Sequence, residues 1–308
     1  MKHIPIGTSD LKASNIVMGN MRLTQLSLSE AEELIKTAME EGINFFDHAD
    51  IYAGGKAEEL FAEAVQMNAS IREKMIIQSK CAIRPEGGYY DFSKEHIISS
   101  VDGILKRLKT EYLDILLLHR PDPLMEPEEV AEAFNELQEQ GKVRHFGVSN
   151  HNPMQIDLLE KYISQKLIVN QLQFSIAHTH IIDSGMTLNM NIDQSVNRDS
   201  SILDYCRLKD ITVQAWSPFQ YGFFEGVFLG DRKRFAELNE VIDELAIKYG
   251  VSDTTIATAW ITRHPANIQV VVGTTNANRL REACKASGLC LTREEWYRLY
   301  KAAGNMVP

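Results

Sequence analysis

Four residues with acid–base character stand at the ends of apolar runs: Asp47 and Tyr52 in DHADIY, Lys80 closing IIQSK, and His119 after ILLL. A lysine at the end of a buried run loses its charge on desolvation unless a carboxylate faces it, and Asp47 is the available partner. An ammonium held in this way beside a phenol favours the phenolate. It is expected to lower the tyrosine pKa from about 10, so that Tyr52 can give up a proton while His119 hydrogen-bonds the same substrate oxygen. That is proton-transfer chemistry at an oxygen. Each residue alone has a structural reading: Asp47 can cap a turn, Lys80 can snorkel, and His119 can be a hydrogen-bonded core histidine. Their recurrence at one kind of position is the signal.

The elements that must bring them together are legible as eight short apolar or β-branched runs, at residues 15–18, 44–47, 75–80, 112–119, 143–149, 168–174, 211–215 and 268–272. Stretches with helical periodicity separate them, among them 29–41, 94–108, 127–140, 199–209 and 276–286. Strands apolar on both faces and alternating with helices imply a parallel sheet with helical cover and right-handed crossovers. Eight such units predict an α/β protein of the closed (β/α)8 TIM-barrel type. No G-x-G-x-x-G or G-x-x-x-x-G-K-[ST] supports a doubly wound alternative. Residues 1–308 are expected to form one domain, with a hairpin at 3–11 closing the barrel bottom and additional helices at 234–249 or 253–263 and at 292–303. Loops at 175–198 and 217–231 are long enough to expect function from them. In such a barrel chemistry sits at the C-terminal strand ends. Those ends carry Asp47, Lys80, His119, Ser149, Asn150, Asn170, Gln171, Gln173, Trp216, Gly273 and Thr274.

Composition narrows the classes. The 308 residues are 44% apolar and 24% charged, the proportions of a packed globule, and 32 basic against 42 acidic side chains leave a formal charge of −10. A broad nucleic-acid footprint or an anionic membrane surface is disfavoured. Four scattered cysteines without a C-x-x-C pair fit a reducing cytosol better than a disulfide framework, with Cys81 read as a buried structural thiol. No secretion signal or membrane span is evident, so a cytoplasmic protein without an obligate protein partner is expected.

The segments INFFDHADIY, IIQSKC, LLLHRPDP, GVSN, NQLQFS, AWSPF and VVGTTNANRLREA resemble, in order and spacing, the aldo-keto reductase superfamily. The likeness is strongest to its bacterial branch with HADIY and HRPDP patterns, and runs from about residue 4 to the end. The resemblance implies a catalytic tetrad of Asp47, Tyr52, Lys80 and His119, with Tyr52 as general acid in carbonyl reduction. It implies a nicotinamide groove in which Ser149, Asn150 and Gln171 hold the carboxamide and Trp216 stacks on the ring. Gly19, Asn20 and Met21 would lie near nicotinamide or substrate, and Ser217, Pro218 and Phe219 would begin a loop over the pyrophosphate. Gly273, Thr274 and Thr275 would line the adenosine end, Arg279 would grip a 2′-phosphate and Glu282 would reach the adenine. NADP(H) is therefore preferred, with NAD(H) possible. Three positions depart from the commonest pattern: His48 replaces a small hydroxyl residue, Gly273 a lysine, and Ala283 an asparagine. The last two weaken the adenosine end.

Two rivals remain. A metal-dependent hydrolase on the same barrel would use the H-x-H of His178 and His180 with His48, Asp47, Asp50 and His119, but leaves Lys80 and Trp216 unexplained, and no metal ligand set is assigned. A nicotinamide-binding sensor with little turnover would keep the groove without needing an intact tetrad. The expected substrate is a small carbonyl compound of broad range, with Met21, Tyr89, Tyr90, His151, Phe223 and Phe224 as pocket candidates.

Overall fold

Phe45, Ile115 and Val271 are fully or almost fully buried and lie on different strands, yet they share one small apolar cluster. Alternation along a strand accounts for it, since every second side chain of a closed sheet points inward. The computed structural model describes residues 1–308. Its strands are β1 (His3–Pro5), β2 (Lys12–Ser14), β3 (Ile16–Gly19), β4 (Phe45–Asp47), β5 (Ile76–Cys81), β6 (Ile83–Arg84), β7 (Tyr89–Tyr90), β8 (Leu113–Leu118), β9 (Val143–Ser149), β10 (Leu167–Gln173), β11 (Thr212–Trp216) and β12 (Gln269–Val272). Eight of them, β3, β4, β5, β8, β9, β10, β11 and β12, close in chain order into a parallel barrel. It is the α/β TIM-barrel fold that the strand and helix periodicity predicts.

Outward side chains such as Ile16, Met18, Phe46, Leu116 and Val213 pack against the helical layer, while Val17, Phe45, Ile115, Leu117, Val169 and Val271 fill the lower interior. The β1–β2 hairpin caps that interior with Ile4, Ile6 and Ala13. It runs to Ser14, three residues beyond the expected end, because Ser14 pairs with His3. Gly7, at the hairpin turn, has φ +51°, and a Cβ there would stand 2.7 Å from Ile168 Cβ, so a side chain would lift the plug from the base of β10. The interior is thus sealed below and open only at the C-terminal strand ends.

Helix ends follow local chemistry. Ser27 and Glu30 form a reciprocal capping box ahead of Leu28–Glu40, and Ser93 caps Lys94–Leu108. The helices expected in these places are Ala236–Tyr249, Asp253–Thr262 and Arg293–Ala302, within two residues of expectation, and one of the first two is additional to the eight strand–helix units. One expected loop differs: residues 175–198 contain a helix, His180–Met186, anchored where Asp183 accepts from the Tyr300 hydroxyl at 2.7 Å. That tertiary anchor leaves little trace in a polar local sequence. The small β6–β7 hairpin was also not anticipated. No helix is long and apolar enough to cross a membrane.

Candidate active site

The residue pattern that builds the barrel also aims the chemistry. Asp47, Gln78, Lys80, Gln171 and Gln214 all occupy inward positions, above the apolar plug. Lys80, fully buried, sends Nζ to Asp47 Oδ1 at 2.8 Å, to Oδ2 at 2.7 Å, to the His48 carbonyl at 2.8 Å and to Tyr52 Oη at 3.1 Å. Burial pushes the ammonium pKa down, but the Asp47 carboxylate, Tyr52 and the hydrogen bonds to both outweigh it and hold Lys80 above its usual value. The charge is therefore locked in. Tyr52 comes from the short turn after β4, and His119 stands edge-on to it with ring centroids 6.1 Å apart.

The direction of the tyrosine shift corrects the expectation from sequence. Burial raises the Tyr52 pKa above 10.0; Lys80 pulls it down as expected, and Asp47 pushes it up again. Desolvation of the phenolate exceeds the pull of an ammonium whose charge a carboxylate already balances. Tyr52 is thus a firmly protonated phenol. His119 is held well below its usual pKa by burial, with Lys80 and Arg120 adding to the effect, so it is a neutral imidazole.

Beneath the tetrad runs a chain of amides of which the sequence reading named only Gln171 and missed Gln78, Gln214 and Gln269. Gln78 Nε2 donates to Asp47 Oδ1 at 2.6 Å and to Gln214 Oε1 at 2.8 Å; Gln171 Nε2 donates to the same two oxygens at 3.0 Å each. Gln214 Nε2 donates to Gln269 Oε1, and Gln269 Nε2 to the Ser14 carbonyl. Asp47 thus accepts from four donor contacts. Both protons of the Gln171 amide are committed to Asp47 and Gln214, which turns its carbonyl oxygen toward the open cavity as an acceptor. The available signal was glutamine at alternate positions of otherwise apolar, buried strands.

Above this floor opens a cavity of about 800 Å³ lined by Gly19, Met21, Asp47, Tyr52, His119, Ser149, Asn150, Gln171, Trp216, Ser217, Pro218, Phe219, Gly273, Thr274 and Arg279, among others. Asn150 and Ser217 take left-handed φ of 61° and 50°, turning the chain back over the opening at two strand ends. The Trp216 indole donates to Asn150 Oδ1 at 3.1 Å, Asn150 Nδ2 to Ser149 Oγ at 2.8 Å, and Ser149 Oγ to the Gln171 carbonyl at 2.9 Å. At the far end Asn276 caps Ala277–Lys285 by accepting from the Arg279 amide, leaving the Arg279 side chain on the cavity wall.

Three expected cofactor residues do not line the cavity. Asn20 is buried and ties β3 to β4 by donating to the Met18 and Asp47 carbonyls. Glu282 turns to Lys285 at 2.6 Å, and Thr275 lies outside the wall. Of the pocket candidates, Met21, Phe223 and Phe224 line the cavity. Tyr89 and Tyr90 form exposed β7, and His151 is buried against Phe92. His178 and His180 pack edge to face 4.7 Å apart, and no group of three or more histidine, cysteine or acidic side chains is arranged to hold a metal. Cys81 is fully buried and burial pushes its thiol pKa well up, as a structural thiol requires.

A closed parallel barrel with this buried lysine–carboxylate–phenol cluster at its open end defines a class of oxidoreductase. The Aldo/keto reductase family model matches residues 15–303, and the chain belongs to that family. It is 36% identical over 304 residues to the uncharacterized oxidoreductase YcsN of Bacillus subtilis (strain 168), covering 95% of each chain. It is 33% identical to a 6-dehydroglucose reductase of Agrobacterium fabrum, covering 97% of each. Among solved structures, the thermostable aldo-keto reductase Tm1743 in complex with the inhibitor epalrestat superposes with a TM-score of 0.77 at 25% identity, over 98% of this chain and 100% of that one. The family uses nicotinamide cofactors, and the wall chemistry fits one. Trp216 offers an aromatic face, Gln171 a committed acceptor, and Arg279 a guanidinium with no carboxylate partner.

Proposed function

We propose that the chain is an NADP(H)-dependent reductase of small aldehydes and ketones, running in reverse as an alcohol dehydrogenase, with Tyr52 as the proton donor. The observation that carries this reading is the contact of Tyr52 Oη with the buried Lys80–Asp47 pair on the floor of the cavity. When bound, the reduced nicotinamide supplies the hydride. Trp216 and the Ser149, Asn150 and Gln171 set would orient it, and Arg279 would hold its 2′-phosphate.

The chain's own groups manage the substrate oxygen. The carbonyl oxygen accepts from Tyr52 Oη and from the neutral His119 ring, which polarise it without adding a formal charge. As the carbon is reduced, the oxygen takes the Tyr52 proton. The phenolate left behind lies 3.1 Å from the Lys80 ammonium, whose charge the amide-held Asp47 carboxylate secures. A raised phenol pKa keeps the donor protonated at neutral pH, which suits reduction, whereas alcohol oxidation needs the phenolate and should accelerate with rising pH. The name of the 6-dehydroglucose reductase relative supports the reductive direction.

The test is NADPH oxidation with a panel of aldehydes and ketones for the native chain and Tyr52→Phe. The variant should still bind NADPH while kcat/KM falls at least about a hundredfold. Equal turnover in both would remove Tyr52 from the chemistry. Tight NADPH binding with no carbonyl reduced would point instead to a sensor.

A further inference from the structure

The buried Arg72 and the half-buried Arg107 have carboxylate partners. Arg72 pairs with Asp114 at 2.7 Å, and Arg107 with Glu58 at 2.7 Å. Arg120 has none. It follows His119 directly, is half-buried on the cavity wall, and its guanidinium neither joins an ion pair nor donates a hydrogen bond to any side chain or carbonyl. It is held instead by aromatic faces, 5.8 Å from the Trp216 ring centroid and 5.5 Å from that of Phe223. Burial lowers its pKa, with only the Tyr90 hydroxyl opposing, so no acid compensates its charge. Its five N–H donors are left without an acceptor among the protein's own groups.

The cavity's two carboxylates cannot serve it. Asp47 is consumed by Lys80, and Asp253 caps the amide of Thr254 at the adenosine end, where Thr255 is bonded to the Glu282 carbonyl on the Arg279 helix. Arg22, next to Met21, and Arg279, at the far end, also line the cavity without a carboxylate partner. The proposed 2′-phosphate contact accounts for Arg279, but Arg22 and Arg120 are left uncompensated in a chain of net charge −10. Around them the wall is apolar, with Met21, Ile51, Phe223 and Phe224, which leaves room for one planar charged group on an apolar body.

We propose that Arg120 is the anion-recognition residue of the substrate subsite, and that the carbonyl compound turned over here carries a carboxylate. This rests on the carbonyl-reductase reading above. The fork of the guanidinium matches a carboxylate in two parallel hydrogen bonds, and its place beside His119 sets the acid group of the substrate a short distance from the reacting carbonyl.

The experiment compares 4-carboxybenzaldehyde with methyl 4-formylbenzoate, which share a ring and aldehyde but differ in charge, using NADPH and the full chain. The native protein should prefer the carboxylate by about tenfold or more in kcat/KM, the range of a charge-assisted hydrogen bond. Arg120→Met should erase that preference mainly through KM, Arg120→Lys should retain part of it, and added salt should weaken it. A native ratio of one or less, an equal loss for both aldehydes, or weakened NADPH binding in Arg120→Met would overturn the proposal. If neither aldehyde is reduced, the reductase reading fails by itself, and the anion site is read by binding of benzoate against benzamide to the NADP+-saturated protein. Benzoate binding lost in Arg120→Met supports the site; equal binding of the two overturns it.

Discussion

Replacing Asp47 by asparagine removes one charge and almost no volume from the carboxylate that accepts four hydrogen bonds on the cavity floor. At 2.7 Å and an effective dielectric of about 20, the Lys80–Asp47 attraction is about 6 kcal/mol before desolvation is subtracted. Lys80 has no exposed surface, so its ammonium would keep only neutral partners, the His48 carbonyl, the Tyr52 hydroxyl and at most the amide oxygen of the new asparagine. Breaking a buried pair on one side costs about 3–5 kcal/mol, and that is the expected loss in urea unfolding at pH 7. The pH dependence identifies the cause. In the native chain the folded pKa of Lys80 is raised, so its contribution is fully present below the unfolded value of about 10.4 and lost above it. In Asp47→Asn the folded pKa drops below the unfolded one, so the unfolded chain binds more protons and stability rises with pH. The deficit should therefore narrow between pH 7 and pH 9.5. A loss under about 1 kcal/mol that does not change with pH would refute this account of the pair.

Arg279→Ala should weaken NADPH by about ten- to a hundredfold while leaving NADH within about threefold, measured by fluorescence titration; equal losses would remove the 2′-phosphate contact. Asp50 carries a second pH signature. Burial, with Glu58 adding and Arg107 opposing, pushes its carboxyl up to about 7, and one oxygen is buried without a partner. A folded pKa above the unfolded value of about 4 gives stability that is present below pH 4 and lost as pH rises to 7. The thermal midpoint of the native chain should therefore fall more between pH 5 and pH 8 than that of Asp50→Asn, and parallel curves would contradict the buried assignment.

Much of the site was readable because barrels place chemistry at strand ends, and strand ends are marked by where apolar runs stop. Asp47, Lys80, His119, Ser149 and Trp216 stand where the runs at 44–47, 75–80, 112–119, 143–149 and 211–215 predict. Glu282 and Asn20 were harder. Asn20 stands between two positions on the cavity wall and Glu282 three residues after another, yet Glu282 is drawn to Lys285 and Asn20 to the β3 and β4 carbonyls, choices made by neighbours at short range in space.

The amino-acid order alone determined the alternation of strands and helices, the hairpin under the barrel and the types of group at its mouth. These depend on the period of apolar residues and on turn chemistry, both local properties of the chain. Closure of the barrel decided the rest. It brought Gln78, Gln171 and Gln214 around one carboxylate, set burial against the ammonium in fixing the Tyr52 pKa upward, and left Arg120 against two aromatic rings without a counter-charge. Each of those outcomes is a balance of desolvation and pairing among residues far apart in sequence, and such a balance exists only once the chain has folded.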